Sequence, residues 1–352
     1  MPDCESAYDA EAQPHPGPLN TQNNQSSSEE HCAKEVVIEH VQLGDFTSQI
    51  GIDSQVKCAR LIIMVLTFGP AIFAQEMEPR AYSRAPVGSQ FIVFTYAYQN
   101  GDVLLDSSLP LRDVSVKLNS GAMGYGRTFG LAGRQANVSV LVPYILGRAT
   151  GTVFEEQHEV RRSGLGDVRL RFSTILKGGP ALSPREFTSY KPRMLLGVSL
   201  TIVAPTGQYD PRRLVNPGSN RWAIKPEIGL SKPSGRWTLE LVSGIWIFTD
   251  NENFFGGSKR EQKPLTSFGG HVIYTIRPRM WASVNATYYT GGRTTVNGIV
   301  NEDTQKNSRI GATYSFPLNN RQSIKVAYAS GLTTRFGGHL KTIGVGWVYA
   351  WF

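Results

Sequence analysis

The residues of this sequence best placed to do chemistry are charges that recur at alternate positions. Asp167, Arg169 and Arg171 stand two apart, Arg221, Lys225 and Glu227 share the same parity, and Arg193, Glu240, Arg309 and Lys325 each interrupt a run of small or apolar residues. Residues two apart lie on one side of an extended chain, so each run would send its charges to a single face. Two chemistries follow from such a face. Opposite charges on neighbouring strands can pair and stiffen a wall. An excess of Arg and Lys can also leave a positive lining that draws in anionic or polar solutes, aromatic acids among them. The two are compatible.

A second group is Tyr209, Asp210, Arg212, Arg213, Asn216 and Asn220, set among Pro and Gly residues that favour fixed turns. This block either folds inward and constricts a mouth or stands as a stiff loop without a ligand. Hydrolysis would need a Ser-His pair with an orienting group. Beyond residue 74 the histidines are His158, His271 and His339. His158 lies beside Glu155, Glu156 and Glu159, His271 is expected on an inward face, and His339 follows Gly338, so each reads as solvated or satisfied. There is no HExxH, P-loop or dinucleotide fingerprint, hence no expected metal or cofactor, and no aromatic-basic module for nucleic acid.

The elements that would carry these residues are strands. Ile92, Phe94, Tyr96 and Tyr98 share one face; Leu170 and Phe172, Val198 and Leu200, Ile224 and Ile228, Ile310 and Tyr314, and Val326 and Tyr328 repeat the pattern, with the charges on the opposite face. Twelve strands are predicted, near 87–99, 119–131, 134–147, 165–177, 191–204, 221–232, 236–248, 265–276, 279–290, 307–317, 321–330 and 340–352. The links at 131–134, 232–236, 276–279 and 317–321 are short, and the alternate links are long and polar. The 178–190 link is longer than the alternation asks. An even count, strands long enough to cross a bilayer at a tilt, and alternating link lengths describe a closed antiparallel transmembrane β-barrel. A soluble barrel would show the same period with its faces exchanged. An export signal, the lack of cysteine in the mature chain and aromatic residues at strand ends favour lipid outside.

That export signal is the apolar stretch 61–74, preceded by Lys57 and Arg60 and ending in a small residue, with cleavage expected between Ala74 and Gln75. Residues 1–55 are acidic and rich in Asn, Gln and Ser, and read as disordered or untranslated, with Val56 as an alternative start. Residues 1–74 hold three basic against ten acidic side chains, which leaves 33 basic and 18 acidic side chains for 75–352, the barrel. Cys4, Cys32 and Cys58 all precede the cut, so neither a disulfide scaffold nor a cysteine metal site is expected after it.

Several motifs carry a resemblance: Pro79-Arg80-Ala81-Tyr82-Ser83, Tyr125-Gly126-Arg127-Thr128-Phe129, Gly164-Leu165-Gly166-Asp167, and above all Ala204-Pro205-Thr206-Gly207-Gln208-Tyr209-Asp210 with Asn216-Pro217-Gly218-Ser219-Asn220-Arg221-Trp222 and Lys225-Pro226-Glu227. Over 79–352 the chain resembles the MetA-pathway phenol-degradation family of outer-membrane proteins. The resemblance implies a transporter-like barrel associated with aromatic catabolism. The expected function is thus an outer-membrane channel for small aromatic or hydrophobic solutes; the alternatives are a structural or adhesive barrel and, less in keeping with the residues, an outer-membrane hydrolase. Expected partners are the solute, outer-membrane lipid and lipopolysaccharide, whose charge suits the basic balance, and the barrel-assembly machinery, which an aromatic last strand ending at Phe352 would engage.

Overall fold

The computed structural model describes residues 77–104, 111–153, 156–191 and 194–352. The leader, the Ala74/Gln75 cleavage point and Arg193 lie outside the described residues. In chain order the strands are β1 (Gln90–Leu104), β2 (Leu111–Leu131), β3 (Arg134–Val153), β4 (Glu156–Leu165), β5 (Arg169–Lys177), β6 (Leu195–Val203), β7 (Ala223–Ser234), β8 (Trp237–Phe248), β9 (Asn251–Phe254), β10 (Ser258–Gln262), β11 (Leu265–Arg277), β12 (Met280–Gly291), β13 (Thr294–Val296), β14 (Ile299–Val300), β15 (Gln305–Pro317), β16 (Gln322–Thr333) and β17 (Gly337–Trp351).

Twelve antiparallel staves form one ring, with β4 and β5 together making the fourth. Register pairs run from Gln90↔Trp351 to Leu104↔Gly337 and close β1 on β17, so the wall has no free edge. In lipid that closure is obligatory, because nothing outside the chain can satisfy a strand's N–H and C=O groups. The outward residues are the apolar ones: Leu170 is 44%, Ile228 50% and Val284 58% exposed. Their neighbours one position away, Ser199, Lys225, Asn285, Thr313 and Ser315, are buried inside. A water-soluble barrel has the reverse polarity. Aromatic rings stack along the outer wall near the short-turn end, Phe94 on Trp347, Trp347 on Tyr349 and Trp237 against Tyr274, while Phe268, Tyr288 and Trp222 are exposed towards the loop end. Two such bands are the girdles of a membrane-spanning barrel.

The tight turns follow from local sequence. Ala132 and Gly133 both take positive φ, 48° and 75°, the two-residue hairpin geometry whose twist matches the flanking strands. Elsewhere the structure departs from expectation in three places. Strands β2, β3 and β4 run well past the bilayer and occupy much of the polar 100–118 and 148–164 segments expected as loops; in upper β3 and β4 the apolar alternation that marks a strand disappears, whereas upper β2 keeps one with its apolar side inward, Val114 and Val116 being buried. The fourth stave is interrupted at 166–168, where β3 changes partner from β4 to β5. The 249–264 and 291–306 segments contain a separate four-stranded sheet ordered β14-β13-β10-β9.

Candidate functional site in the barrel lumen

The turn half of the lumen is occupied by the chain itself. Residues 77–89, ahead of β1, thread inside the wall and are held by side chains from most of the ring. Tyr82 is buried, and its hydroxyl lies 3.1 Å from Ser199 Oγ and donates to Glu227 Oε1 at 3.0 Å. The backbone N–H of Arg80 donates to Glu240 Oε2 at 2.7 Å, and its guanidinium reaches Thr275 Oγ1 at 2.8 Å while lying 5.1 Å over the Trp281 ring. Gln135 accepts from the N–H of Ala85 and donates to the carbonyl of Ser83. The over-long 178–190 link explains itself here: Leu182 accepts from the N–H of Val87, and Phe187 and Tyr190 flank the guanidinium of Arg84, each 4.8 Å away. It closes under the barrel and anchors the segment. Beside the segment is a cavity of about 1740 Å³ with Thr95, Arg169, Arg171 and Lys325 among its lining residues. Lys325 is enclosed by the wall, yet its side chain is exposed to this space.

The mid-lumen charges form a network. Glu227 lies 2.6 Å from Lys225 Nζ and 3.2 Å from Arg171, and Arg171 is also 2.8 Å from Glu78 of the inner segment. The pairing differs from the expected one between neighbouring strands: Lys225 and Glu227 share β7, and Arg171 on β5 reaches past β6 to Glu227 and to the threaded segment. Glu240 binds Ser231 and Arg80. Arg309 donates to the carbonyl of Leu340 and to Thr342 Oγ1. Arg221 bonds Gln262 and lies 4.4 Å over Phe248.

Asp167 has a different task. Its carboxylate accepts from the N–H groups of Gly207, at 2.9 Å, and Ser219, at 2.8 Å, and from Ser219 Oγ at 2.5 Å, so it ties the 204–222 loop to the broken fourth stave. Gly207 and Gly218 touch backbone to backbone there; a Cβ on Gly207 would come within 2.7 Å of Gly218 Cα. Within the loop Asn216 accepts from Asp210 N–H and donates to the Arg213 carbonyl, Tyr209 donates to the Asn253 carbonyl, and Asn220 donates to Asn251. Asp210 is ion-paired with Arg212 and Arg213, whose side chains turn to solvent; the hydrogen bond from Arg212 holds its carboxyl below the usual range. Three hydrogen bonds to one buried carboxylate are expected to govern this loop's order. Asp167→Ala should loosen the loop by about 2–3 kcal/mol, and hydrogen exchange of the 204–222 amides would show faster opening there with the barrel strands still protected.

Reasoning from alternation misses one feature. Inside the loop half of the lumen Val203, Ala223, Trp246, Leu265 and Tyr289 form a buried apolar cluster with Phe248 packed on it. Trp246 and Phe248 stack at 6.4 Å, and Lys225 Nζ lies 5.5 Å from the Trp246 ring. The signal was available: Glu240 faces inward, and Trp246 and Phe248 share its parity on β8, although the apolar run 241–248 conceals the period. Nearby, burial under the loops pulls the Arg260 guanidinium down to about 10, against the attraction of Asp303 and Tyr209. Of the histidines, His271 is buried inward with Nδ1 3.0 Å from Asn285 Oδ1, His158 is an exposed neighbour of Glu156, and His339 lies 3.2 Å from Thr334 Oγ1.

The chain is similar to known proteins in structure and in sequence profile. An outer membrane channel from Pseudomonas putida F1 superposes with a TM-score of 0.67 at 21% identity, covering 78% of this chain and all of the other. The beta domain of the Bordetella autotransporter BrkA aligns at TM-score 0.43 and 12% identity, covering 74% of this chain and 99% of its own. No curated protein matches in sequence. The sequence profile of the family described as "Putative MetA-pathway of phenol degradation" matches residues 92–348, nearly the whole barrel, and the chain belongs to that family.

Proposed function

We propose that this chain is a passive channel of a bacterial outer membrane for small aromatic or otherwise hydrophobic compounds, serving the breakdown of aromatic compounds with which its family is associated. The observation that carries the reading is the cluster of Trp246, Phe248, Tyr289, Val203, Ala223 and Leu265 on the inner wall. Phe248, the partly exposed member with the buried Trp246 stacked on it, offers an aromatic solute apolar contact and ring stacking from which a simple ion gains nothing. Arg221 and Lys225 over the ring faces suit a phenolate or carboxylate group on the same solute. In this reading the short turns and the inner segment face the periplasm, the pinned 204–222 loop narrows the outer mouth, the charged residues facing the lumen line the path, and a leader cut at Ala74/Gln75 and the barrel-assembly machinery deliver the chain.

Proteoliposome uptake tests it. Phenol and benzoate are expected to enter faster than a sugar of similar size, and Phe248→Gln should reduce the aromatic rate about tenfold, the worth of roughly 1–1.5 kcal/mol of lost aromatic contact, while leaving the sugar rate unchanged. A barrel impermeable to all three contradicts the reading. One observation favours a second role in surface contact: β2 to β4 and the β9, β10, β13 and β14 sheet build an ordered platform beyond the membrane. Under that role, deletion of the chain would alter surface binding with uptake intact.

A further inference from the structure

The outer wall carries a row of cations that the lumen reading does not use. Arg161 on β4 is registered against Arg148 on β3, Arg148 against Lys117 on β2, Lys117 against Asn100 on β1, and Asn100 against Lys341 on β17. All four cations are exposed and have the outward parity of their strands. With strands spaced about 4.8 Å apart, the row runs roughly 19 Å around the barrel. Two residues lower, about 6–7 Å along each strand, the same staves present Ser163, Leu146, Asn119, Tyr98 and Ile343, and two lower again Leu165, Tyr144, Gly121, Tyr96 and Val345. The cations therefore stand immediately above the apolar belt on the loop side, where headgroups begin. The acid among them is Glu159, which bonds both Arg148 and Arg161 and fixes two guanidinium groups side by side; Asp102 follows in the row above. Four positive charges against two, Glu159 and Asp102, leave a net +2 over this strip.

We infer that this row is a docking surface for the phosphorylated sugar headgroup of lipopolysaccharide in the outer leaflet. Charge complementarity at a fixed depth identifies the occupant. Phosphates on a lipid headgroup sit at the level of the row while their acyl chains lie along Leu146, Ile343 and Val345, and paired guanidinium groups match phosphate oxygens in a way that single ammonium groups do not. The inference rests on the outer-membrane reading above, with the loop end facing outward.

The test uses the full chain in detergent, titrated with lipid A, with lipid A stripped of its phosphates, with phosphatidylglycerol and with inorganic phosphate. Wild type is expected to bind lipid A alone. Each single Gln substitution should weaken binding about fivefold, the usual worth of one basic residue at an anionic surface, and K117Q/R148Q/R161Q/K341Q together at least a hundredfold, with R148K/R161K keeping the charge yet losing affinity for want of the paired guanidinium groups and high salt weakening all of it. The mobility shift of the unheated barrel on electrophoresis verifies folding of each variant. Equal binding of phosphatidylglycerol, displacement by inorganic phosphate at matching concentration, or an unchanged quadruple variant would overturn the inference. Solute uptake is measured on the same preparations: a chain that binds lipid A and transports nothing loses the channel reading alone, and one that transports without binding lipid A loses this inference alone.

Discussion

Gly229→Val is expected to expel Tyr82 from the lumen and raise single-channel conductance several-fold. Gly197 and Gly229 are cross-strand neighbours on β6 and β7, and together they form the socket for the Tyr82 ring. A Cβ at Gly229 would lie 2.1 Å from a ring carbon, and one at Gly197 2.2 Å. The wall can accept valine, which suits a strand; the ring has nowhere to move except out. Losing the contacts of a buried aromatic side chain costs about 3 kcal/mol or more, enough to shift the balance between docked and released segment by about two orders of magnitude. Release would also expose Arg80 and Arg84, so trypsin should cut after both in the variant and in Tyr82→Ala, and spare them in wild type. Protection at both sites with unaltered conductance would show that the ring does not hold the segment.

Glu227→Gln is expected to destabilise the barrel by about 3 kcal/mol or more. The Glu227 carboxylate is shared by Lys225, Arg171 and the Tyr82 hydroxyl, and the Glu227 and Lys225 side chains are nearly excluded from solvent, at 11% and 6% exposure. Removing one member of a buried ionic cluster costs about 3–5 kcal/mol, because the remaining charges keep their desolvation without the same compensation. The exposed pairing of Glu159 with Arg148 and Arg161 supplies the control: Glu159→Gln should leave the unfolding midpoint close to that of wild type. Urea unfolding in detergent micelles separates the two. With one anion fewer in the lumen, the reversal potential of Glu227→Gln in a salt gradient should also move towards anion preference.

Much of the ring was legible because lipid imposes a rule the sequence must obey at every second residue. Ile224 and Ile228 against Lys225 and Glu227, or Ile310 and Tyr314 against Arg309 and Thr313, state both the strand and its inner face without any tertiary knowledge. Legibility ended where lipid ended. The upper parts of β3 and β4 have no apolar parity to distinguish a strand such as 156–165 from a loop, and in upper β2 the parity of Val114 and Val116, buried inward, is the reverse of the one lipid imposes. The threaded segment was hidden for another reason. Pro79, Arg80, Ala81, Tyr82 and Ser83 have no period of their own, and their position depends on sockets supplied by Gly197, Gly229, Gln135 and Glu240, which are scattered over a hundred residues of sequence. In the loop half, Asp167 matched the parity of Arg169 and Arg171, yet its partners are backbone N–H groups of Gly207 and Ser219, a role that only the folded loop discloses.

The polarity of the wall supports every functional statement made above, and it can be measured directly. From residue 59 onward the chain has no native cysteine, so single cysteines at 170, 171, 224, 225, 227 and 228, labelled with a nitroxide in lipid vesicles, report each position separately. Positions 170, 224 and 228 are expected to be relaxed by oxygen dissolved in the acyl chains and shielded from a water-soluble nickel chelate, with 171, 225 and 227 giving the opposite response or no oxygen response at all. Greater oxygen accessibility at 171, 225 and 227 than at 170, 224 and 228 would contradict the account.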